Sequence, residues 1–380
     1  MIDFFAILTK INAFYRLNQY LSGMNNDSIE NRPQVMAKSR TIPFNASKTT
    51  GVQRFRFYSQ LFSVAINVWI GLQFYFFVNY IESGGESAAV ARPPGVDAWL
   101  PIGSLVSLRH WWDTGNVNDI HPAGLIIFVT ILIVAFLFKK GFCSWICPIG
   151  FISEVLGDIS DKIWRRRLKP PAWLDWPLRS LKYIIAGFFL YAILYQMSSA
   201  DIEGFIYTDY NKVADLLMLR FFTDITMFAL AVITILFVLS LIIRGFWCRF
   251  LCPYGALLGL IGMISPTRIV RSAESCSDCN SCAAACPSFI RVDKVSQVIS
   301  DECTGCMACV DSCPVGGALQ LKVVSRKRKI PTLAWASVLV VIFWATLMSF
   351  KIWGPWENNI SDEEYMRHMP AVTEGGYTHP

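Results

Sequence analysis

The sequence predicts an all-α polytopic membrane protein of about five transmembrane helices, joined to a small cysteine-rich α+β domain. Three observations lead to this fold class. The chain has 380 residues, 54% of them hydrophobic, and a mean hydropathy of +0.41, which is too apolar for an ordinary soluble domain. Its apolar residues gather into long stretches, and its 12 cysteines gather into a few short motifs.

Five apolar stretches approach the length of about 20 residues that a membrane-spanning helix needs. The second and third are short, so a buried core helix is the alternative interpretation for these two. Aromatic and charged residues at their edges favour a span instead. The predicted spans are Leu61 to Tyr80, Gly124 to Phe138, Leu181 to Met197, Phe221 to Ile243 and Leu333 to Phe350.

The distribution of charge predicts the orientation in the membrane. Lys and Arg are concentrated before the first span and between the second and third, whereas acidic residues dominate 82–121 and the segment after the last span. Because cytoplasmic loops are enriched in Lys and Arg, the N-terminus is expected inside and the C-terminus outside a bacterial cytoplasmic (inner) membrane. The first residues do not have the features of a secretory signal, so 1–55 is expected to be a cytoplasmic arm.

Eight cysteines lie in CSDCNSCAAACP and CTGCMACVDSCP. Each run has the spacing Cys-x2-Cys-x2-Cys-x3-Cys-Pro, in which three thiolates bind one iron–sulfur cluster and the fourth binds the neighbouring cluster. Zinc is the alternative, but it explains neither the third cysteine nor the proline. We therefore predict a ferredoxin-type domain with two 4Fe-4S clusters, one on Cys276, Cys279, Cys282 and Cys313, the other on Cys303, Cys306, Cys309 and Cys286.

The other four cysteines belong to an internal repeat. CSWICPIGFISEVLGDIS and CRFLCPYGALLGLIGMIS align without a gap, 105 residues apart, each directly after an apolar stretch. The prolines are expected to begin helices, and a helix N-terminus favours thiolate over thiol at the cysteine before it. We predict that Cys143, Cys147, Cys248 and Cys252 meet at the inner membrane boundary as an additional iron or iron–sulfur centre. A redox-active dithiol site, or inert cysteines in two tight turns, are the alternatives.

These motifs resemble those of the membrane-bound quinol dehydrogenase subunits of periplasmic nitrate reductase systems. They also resemble the membrane half of the nitrous oxide reductase regulator-type electron donors and the methylamine-utilization ferredoxin-type proteins. The resemblance covers about residues 55–325. The fifth predicted span and the acidic residues after it depart from the four-span core of the nitrate reductase relatives.

The resemblance implies a membrane-bound iron–sulfur electron-transfer protein that acts as a quinol dehydrogenase. Electrons would pass between membrane quinone, or a cytoplasmic electron donor, and a periplasmic reductase, cytochrome or ferredoxin-like subunit. An assembly, maturation or regulatory protein for a respiratory metalloenzyme is the alternative, and a structural anchor is a third. The basic run KVVSRKRK before the last span is expected to anchor the topology rather than to bind nucleic acid.

The predicted organisation has five parts: an N-terminal arm (1–55), a four-span membrane core (56–265), the ferredoxin-type domain (266–325), a basic anchor with the fifth span (326–352) and an acidic periplasmic tail (353–380). In the tail, His368 and Met369 suggest haem ligation. The chain has no Cys-x-x-Cys-His motif, however, which excludes a covalently attached c-type haem.

Quinol oxidation also needs a proton acceptor. Asp224 stands out, because a carboxylate within a span is costly and often functional. It lies only three residues into its predicted span, where a solvated helix-end aspartate is the simpler interpretation. The candidates near the outer boundary are His110, Asp113, Asp119, His121 and Asp224.

Overall fold

A computed structural model describes residues 51–165, 167–323 and 328–377, and almost all of the predicted N-terminal arm lies outside these ranges. The described chain is mostly helical. Its helices are α1 (Gly51–Glu82), α2 (Pro101–Thr114), α3 (Pro122–Phe138), α4 (Gly141–Trp145), α5 (Pro148–Trp164), α6 (Ala172–Tyr191), α7 (Ser199–Ile206), α8 (Asp209–Lys212), α9 (Ala214–Thr223), α10 (Met227–Ile242), α11 (Pro253–Met263), α12 (Ser281–Ala285), α13 (Ala308–Asp311), α14 (Thr332–Trp353) and α15 (Asp362–Glu374). Its strands are β1 (Thr267–Arg271), β2 (Leu319–Val323) and β3 (Arg328–Lys329).

Three helices in the described ranges are long and apolar enough to cross a membrane: α1, α6 with its continuation to Gln196, and α14. The pair α9 and α10 passes the same test together, although it is bent by 79°, which gives up to four candidate spans. Helix α3 has 17 residues, so its length of about 26 Å falls slightly short of a typical bilayer core. The chain therefore has three to four candidate spans by length and composition.

The predicted fourth span, Phe221 to Ile243, is not one straight helix but lies in the bent pair of α9 and α10. Asp224 ends α9, and Thr226 begins α10 by accepting a hydrogen bond from the Ala229 backbone N–H at 3.2 Å. Threonine at this position satisfies an otherwise unpaired helix N–H group and so favours a new helix start. The local cap breaks an apolar stretch that hydropathy alone treats as continuous.

The two copies of the internal repeat are the first unit, α3 to α5, and the second unit, α10 to α11. They pack against each other reciprocally. Helix α11, which follows the second cysteine pair, packs against α3 of the first unit and against α6. Helix α5, which follows the first pair, packs against α10 of the second unit. Each short helix therefore rests on the apolar helix of the other unit, and α3 becomes a central helix with most of its residues buried.

Two glycines at corresponding positions permit this close packing. A Cβ atom on Gly157 would lie 2.5 Å from Cγ of Arg244. A Cβ atom on Gly262 would lie 3.0 Å from the backbone nitrogen of Lys140. The chain just after each apolar helix therefore passes close to the short helix of the other unit. A side chain at the glycine would not fit there.

The cysteine-rich domain is built on a three-stranded antiparallel sheet in the order β1-β2-β3, with Ile269 paired to Leu321 in its centre. It is not a separate body, because Cys303 and Met307 belong to the same hydrophobic core as Trp335 of α14. Trp145 Nε1 also donates a hydrogen bond at 3.1 Å to the backbone carbonyl of Gly305, in the loop between Cys303 and Cys306. The domain is thus docked on the helices through aromatic residues.

The segment predicted as an acidic tail contains a docked helix. Tyr365, Met369 and Val372 of α15 are buried. The Tyr365 ring meets Phe77 of α1 edge to face, with ring centroids 5.4 Å apart. Helix α15 therefore packs against the end of α1 that is remote from the cysteine-rich domain.

Candidate functional site

The eight cysteines of the α+β domain line two small cavities. The structure brings together the same sets of four that the sequence spacing predicts, with the last cysteine of each run in the cavity of the other run. One cavity is lined by Cys276, Cys279, Cys282 and Cys313, and the other by Cys286, Cys303, Cys306 and Cys309.

The two runs also follow the same backbone path. Asp278 and Asn280 have φ angles of 52° and 58°, and the corresponding Gly305 and Met307 have 62° and 61°. Positive φ is uncommon for residues other than glycine and points to a local constraint. Here it winds each loop around its cavity, which is the geometry that successive thiolates on one cluster require.

The two cavities differ in their surroundings. All four cysteines around the second cavity, Cys286 among them, are buried, whereas three of the four around the first are only half-buried. Gln53 of α1 donates to the Cys306 carbonyl at 2.9 Å, so the second cavity lies directly against the helices. The first cavity lies farther out in the small domain.

The thiols of the two Cys-x3-Cys-Pro elements line one much larger cavity of about 2020 Å³. Cys147 and Cys252 immediately precede α5 and α11, as predicted from the prolines that follow them. The Gly255 N–H donates to Cys252 Sγ at 3.3 Å, and the Gly150 N–H makes the corresponding bond to Cys147. The structure therefore brings the predicted quartet, Cys143, Cys147, Cys248 and Cys252, to one space.

Burial raises the pKa of three thiols of the quartet. It raises the pKa of Cys143 to about 12 and that of Cys248 to about 11. At Cys147, burial and the neighbouring Cys143 and Cys248 thiols raise the pKa and outweigh the hydrogen bond from Gly150. At Cys147, desolvation is therefore a larger effect than the helix N-terminus that was expected to favour thiolate. Such thiols ionise when a metal replaces their protons.

The distances between the cysteine thiols affect whether they can bind a single metal ion or an iron–sulfur cluster. In the described ranges, no three His, Cys, Asp or Glu side chains lie as close together as the ligands of a single metal ion. This holds for the ferredoxin-type sets as well as for the quartet. An iron–sulfur cluster spreads its cysteine ligands over several metal atoms.

Ion pairs connect the quartet region to the ferredoxin-type loops. Arg179 of α6 pairs with Asp301 at 3.2 Å, and Lys182 of the same helix donates to Glu302. Burial opposes ionisation of Asp301, but Arg179 and Lys182 prevail and lower its pKa to about 2. The residues directly before Cys303 are thereby held against α6.

The first unit presents a polar helix face to the large cavity. Glu154, Asp158 and Asp161 of α5 line it, and their spacing places them on one side of the helix. Arg56 donates to Glu154 at 2.5 Å, and Arg244 pairs with both aspartates. Sequence reasoning missed these residues, although the strongly amphipathic pattern of α5 was a signal for them.

His121 belongs to a buried network at the end of the helices that is remote from the cysteine-rich domain. Its Nδ1 lies 3.0 Å from Asp97 Oδ1, and Arg92 bridges Asp97 at 2.5 Å and Asp215 at 2.6 Å. Burial lowers the pKa of His121, but the Asp97 carboxylate more than compensates and the net pKa is raised. Sequence reasoning identified His121 but missed Arg92, Asp97 and Asp215, which form the network with it. Tyr365 closes the network with a bond to Asp215 at 3.4 Å.

The other outer candidates lie elsewhere. His110 is buried on α2, and Asp224 caps α9 with its side chain 62% exposed and bonded to Arg220 at 2.7 Å. Asp113 accepts a hydrogen bond from Arg109 at 2.9 Å, and the Asp119 carbonyl accepts one from Asn359. Among the described residues that line the large cavity, none is one of the five outer candidates.

The fold and these cysteine sets define the class: a membrane-bound, ferredoxin-type iron–sulfur protein. The family described as "4Fe-4S binding domain" matches residues 120–167 and again 225–271, so each match contains one Cys-x3-Cys-Pro element. The family described as "4Fe-4S dicluster domain" matches 268–314.

Sequence similarity to an individual protein identifies the family within this class. The chain is 40% identical over 324 residues to YccM of Escherichia coli (strain K12), whose given name is that of an electron transport protein; the match covers 84% of this chain and 90% of YccM. The chain therefore belongs to the family of YccM. No solved structure matches it significantly.

Two further relatives confirm the predicted resemblance. The chain is 31% identical over 123 residues to the regulatory protein NosR of Pseudomonas aeruginosa, which covers 31% of this chain and 16% of NosR. It is 28% identical over 152 residues to the methylamine utilization ferredoxin-type protein MauN of Methylorubrum extorquens, covering 39% of this chain and 48% of MauN. Iron–sulfur electron transport at a membrane is the activity that these matches support.

Proposed function

We propose that the protein oxidises membrane quinol and passes the electrons through its iron–sulfur clusters to a redox partner on the periplasmic side. One observation carries the proposal. The large cavity is lined at the same time by the cysteine quartet, by Thr304 and Ala308 of the ferredoxin-type loops, and by Trp69 and Trp344 of the predicted spans α1 and α14. A membrane-soluble electron carrier and the cluster ligands would thus share one space.

We further propose three 4Fe-4S clusters, two on the ferredoxin-type sets and one on the quartet. The donor sets support this, because each has four thiols around a cavity and thiolate is the preferred ligand of iron–sulfur clusters. The clusters supply one-electron carriers. Trp145, next to the quartet, donates a hydrogen bond to the Gly305 carbonyl and so ties the quartet region to the loop that precedes Cys306.

The proposed topology has five spans in the inner membrane, with α3 as the second and α9–α10 as the fourth. The ferredoxin-type domain lies in the cytoplasm, and α15 lies in the periplasm. Two features support this arrangement: the domain and α15 pack at opposite ends of α1, and the loops between α3 and α6 are strongly basic. Helix α3 is short for a span, but protein rather than lipid covers most of it.

Replacing Cys147 and Cys252 together by Ala tests the function. In membrane vesicles that expose the periplasmic face, we expect the variant to stop electron transfer from a soluble menaquinol analogue to ferricyanide. Its two ferredoxin-type signals in electron paramagnetic resonance should remain, because their ligands are other residues. Iron content should fall by the share of one cluster.

The control is Cys279→Ser, in the cavity farthest from the helices. It should damage one ferredoxin-type cluster and leave the quartet iron in place. Electron transfer at the normal rate in the double variant would show that the two motifs are turns that merely contain cysteine.

A further inference from the structure

The two units differ on the helix that follows each cysteine pair. Glu154 of α5 corresponds to Gly259 of α11, and Asp158 corresponds to Met263. A Cβ atom on Gly259 would lie 2.6 Å from the backbone oxygen of Asp301, so the segment leading into the ferredoxin-type loop covers this face of α11. The matching face of α5 is polar and part of the cavity wall.

Glu154 is held in position near the quartet. It lies two helical turns after Cys147, about 10 Å along the axis of α5 and on the same side of the helix. Arg56 Nη2 donates to one carboxylate oxygen at 2.5 Å, and Gln60 Nε2 donates to the other at 3.1 Å. Both donors belong to α1, and the Glu154 side chain keeps 20% of its surface exposed.

The cavity wall carries polar groups that have no partner among the described residues. Arg56 Nε, Ser144 Oγ and Trp344 Nε1 are buried and make no hydrogen bond. An unpaired buried polar atom costs about 1–3 kcal/mol, so three in one wall indicate a polar ligand group. The part of the cavity wall that includes Trp69 and Phe343 is apolar, which suits the tail of an isoprenoid quinone.

We propose that this part of the cavity binds the quinol headgroup and that Glu154 accepts its protons on the cytoplasmic side. The proposal rests on the proposed function and deepens it by placing the site at the opposite membrane boundary from the outer candidates. Asp158 and Asp161 do not take this role, because Arg244 holds them in ion pairs.

The chemistry balances as follows. Oxidation of one quinol breaks two phenolic O–H bonds and releases two electrons and two protons. The electrons pass one at a time to the iron–sulfur clusters and from them to the one-electron redox partner. The first proton protonates the Glu154 carboxylate, which returns it to cytoplasmic water before it accepts the second. Arg56 positions the carboxylate through its hydrogen bond, and Cys306 lies within electrostatic range of both side chains.

The test compares Glu154→Gln with Asp224→Asn, the same chemical change at an exposed outer position, in full-length protein in membrane vesicles. A positioned proton acceptor contributes about a hundredfold or more, so we expect quinol oxidation by the Glu154 variant to fall by about that factor. Asp224→Asn should match the wild type.

Readouts other than turnover separate proton transfer from folding. Binding of the menaquinol analogue, followed by quenching of tryptophan fluorescence, and the cluster signals should be unchanged in Glu154→Gln. Dithionite should reduce its clusters at the wild-type rate. Trp344→Phe should instead weaken binding, and Glu154→Asp, which keeps a carboxylate, should recover part of the rate.

The outcomes distinguish the two proposals. A wild-type protein that does not oxidise quinol refutes the proposed function itself. An active wild type with an equally active Glu154→Gln refutes the present inference alone, as does an equal loss in Glu154→Asp and Glu154→Gln while binding and clusters are intact. A rate that depends on Asp224 instead would place the proton acceptor at the outer boundary.

Discussion

The two Cys-x3-Cys-Pro units share the positions that build the quartet and differ at the positions that face other parts of the molecule. Trp145 and Phe250 occupy the same place and are both fully buried, so they anchor the two turns alike. Gly157 and Gly262 both admit the opposite unit. Glu154 and Gly259, by contrast, face a cavity and a ferredoxin-type segment, respectively. The positions that the two units share supply a symmetric set of cysteine ligands. The positions that differ fit the first unit to the cavity and the second unit to the ferredoxin-type segment.

The apolar helices of the two units also begin differently. His121 precedes α3 and lies in the buried network with Asp97 and Arg92. The corresponding Thr226 only caps α10. The first unit is therefore tied to charged groups at both ends, whereas the second is tied to them mainly at the cysteine end. The following variants test this comparison at matched positions.

The largest difference is expected between Gly150→Ala and Gly255→Ala. A Cβ atom on Gly150 would lie 2.0 Å from the Cys143 backbone oxygen, which cannot move without displacing the cysteine turn. On Gly255 it would lie 3.3 Å from the Cys248 oxygen and from Nζ of Lys140, whose side chain can adjust. Overpacking a close-packed site costs about 1–3 kcal/mol and shifts backbone.

We therefore expect Gly150→Ala to lose the iron of the quartet and Gly255→Ala to keep most of it. Iron analysis and the absorbance of the anaerobic protein measure this, and the ferredoxin-type resonance signals report that the chain is folded. Equal iron in the two variants would contradict the packing difference between the units.

A smaller effect is expected from Trp145→Phe, which makes the first unit resemble the second at this position. The change removes the hydrogen bond to the Gly305 carbonyl and leaves a buried acceptor unpaired, at a cost of about 1–3 kcal/mol. Amide hydrogen exchange in 303–309 should accelerate, and thermal stability should fall. Phe250→Leu is the control: it should lower stability through lost packing without changing exchange in that loop. Unchanged exchange in Trp145→Phe would mean that the bond does not hold the domain.

The sequence predicted the parts of this site that depend on local spacing. The cysteine groupings, the prolines that start α5 and α11, and the repeat could all be found because ligand geometry and helix starts are encoded within a few residues. The break at Thr226 was missed, because a cap competes with hydropathy through a single hydroxyl. Arg92 and Asp215 were missed because their contact with each other joins segments more than a hundred residues apart. Glu154 was missed since an acidic residue on an amphipathic helix looks like a solvated face until the cavity beside it is known.

The smallest expected effect concerns the His121 network and depends on pH. The pKa of His121 is raised in the folded protein, because the Asp97 carboxylate outweighs the opposing effects of burial and of Arg92. A group with a raised folded pKa adds stability below its unfolded pKa, which is about 6.5 for histidine, and this stability is lost as pH rises through the folded value. Thermal unfolding in detergent should therefore shift to lower temperature as pH rises above about 6.5. His121→Gln removes the titration and should flatten this part of the profile. Thr226→Val, at the matched position of the second unit, should lower stability by about 1 kcal/mol at every pH, since it removes only a cap. A profile that stays as steep in His121→Gln would assign the dependence to another group and remove the contrast between the two units at this end.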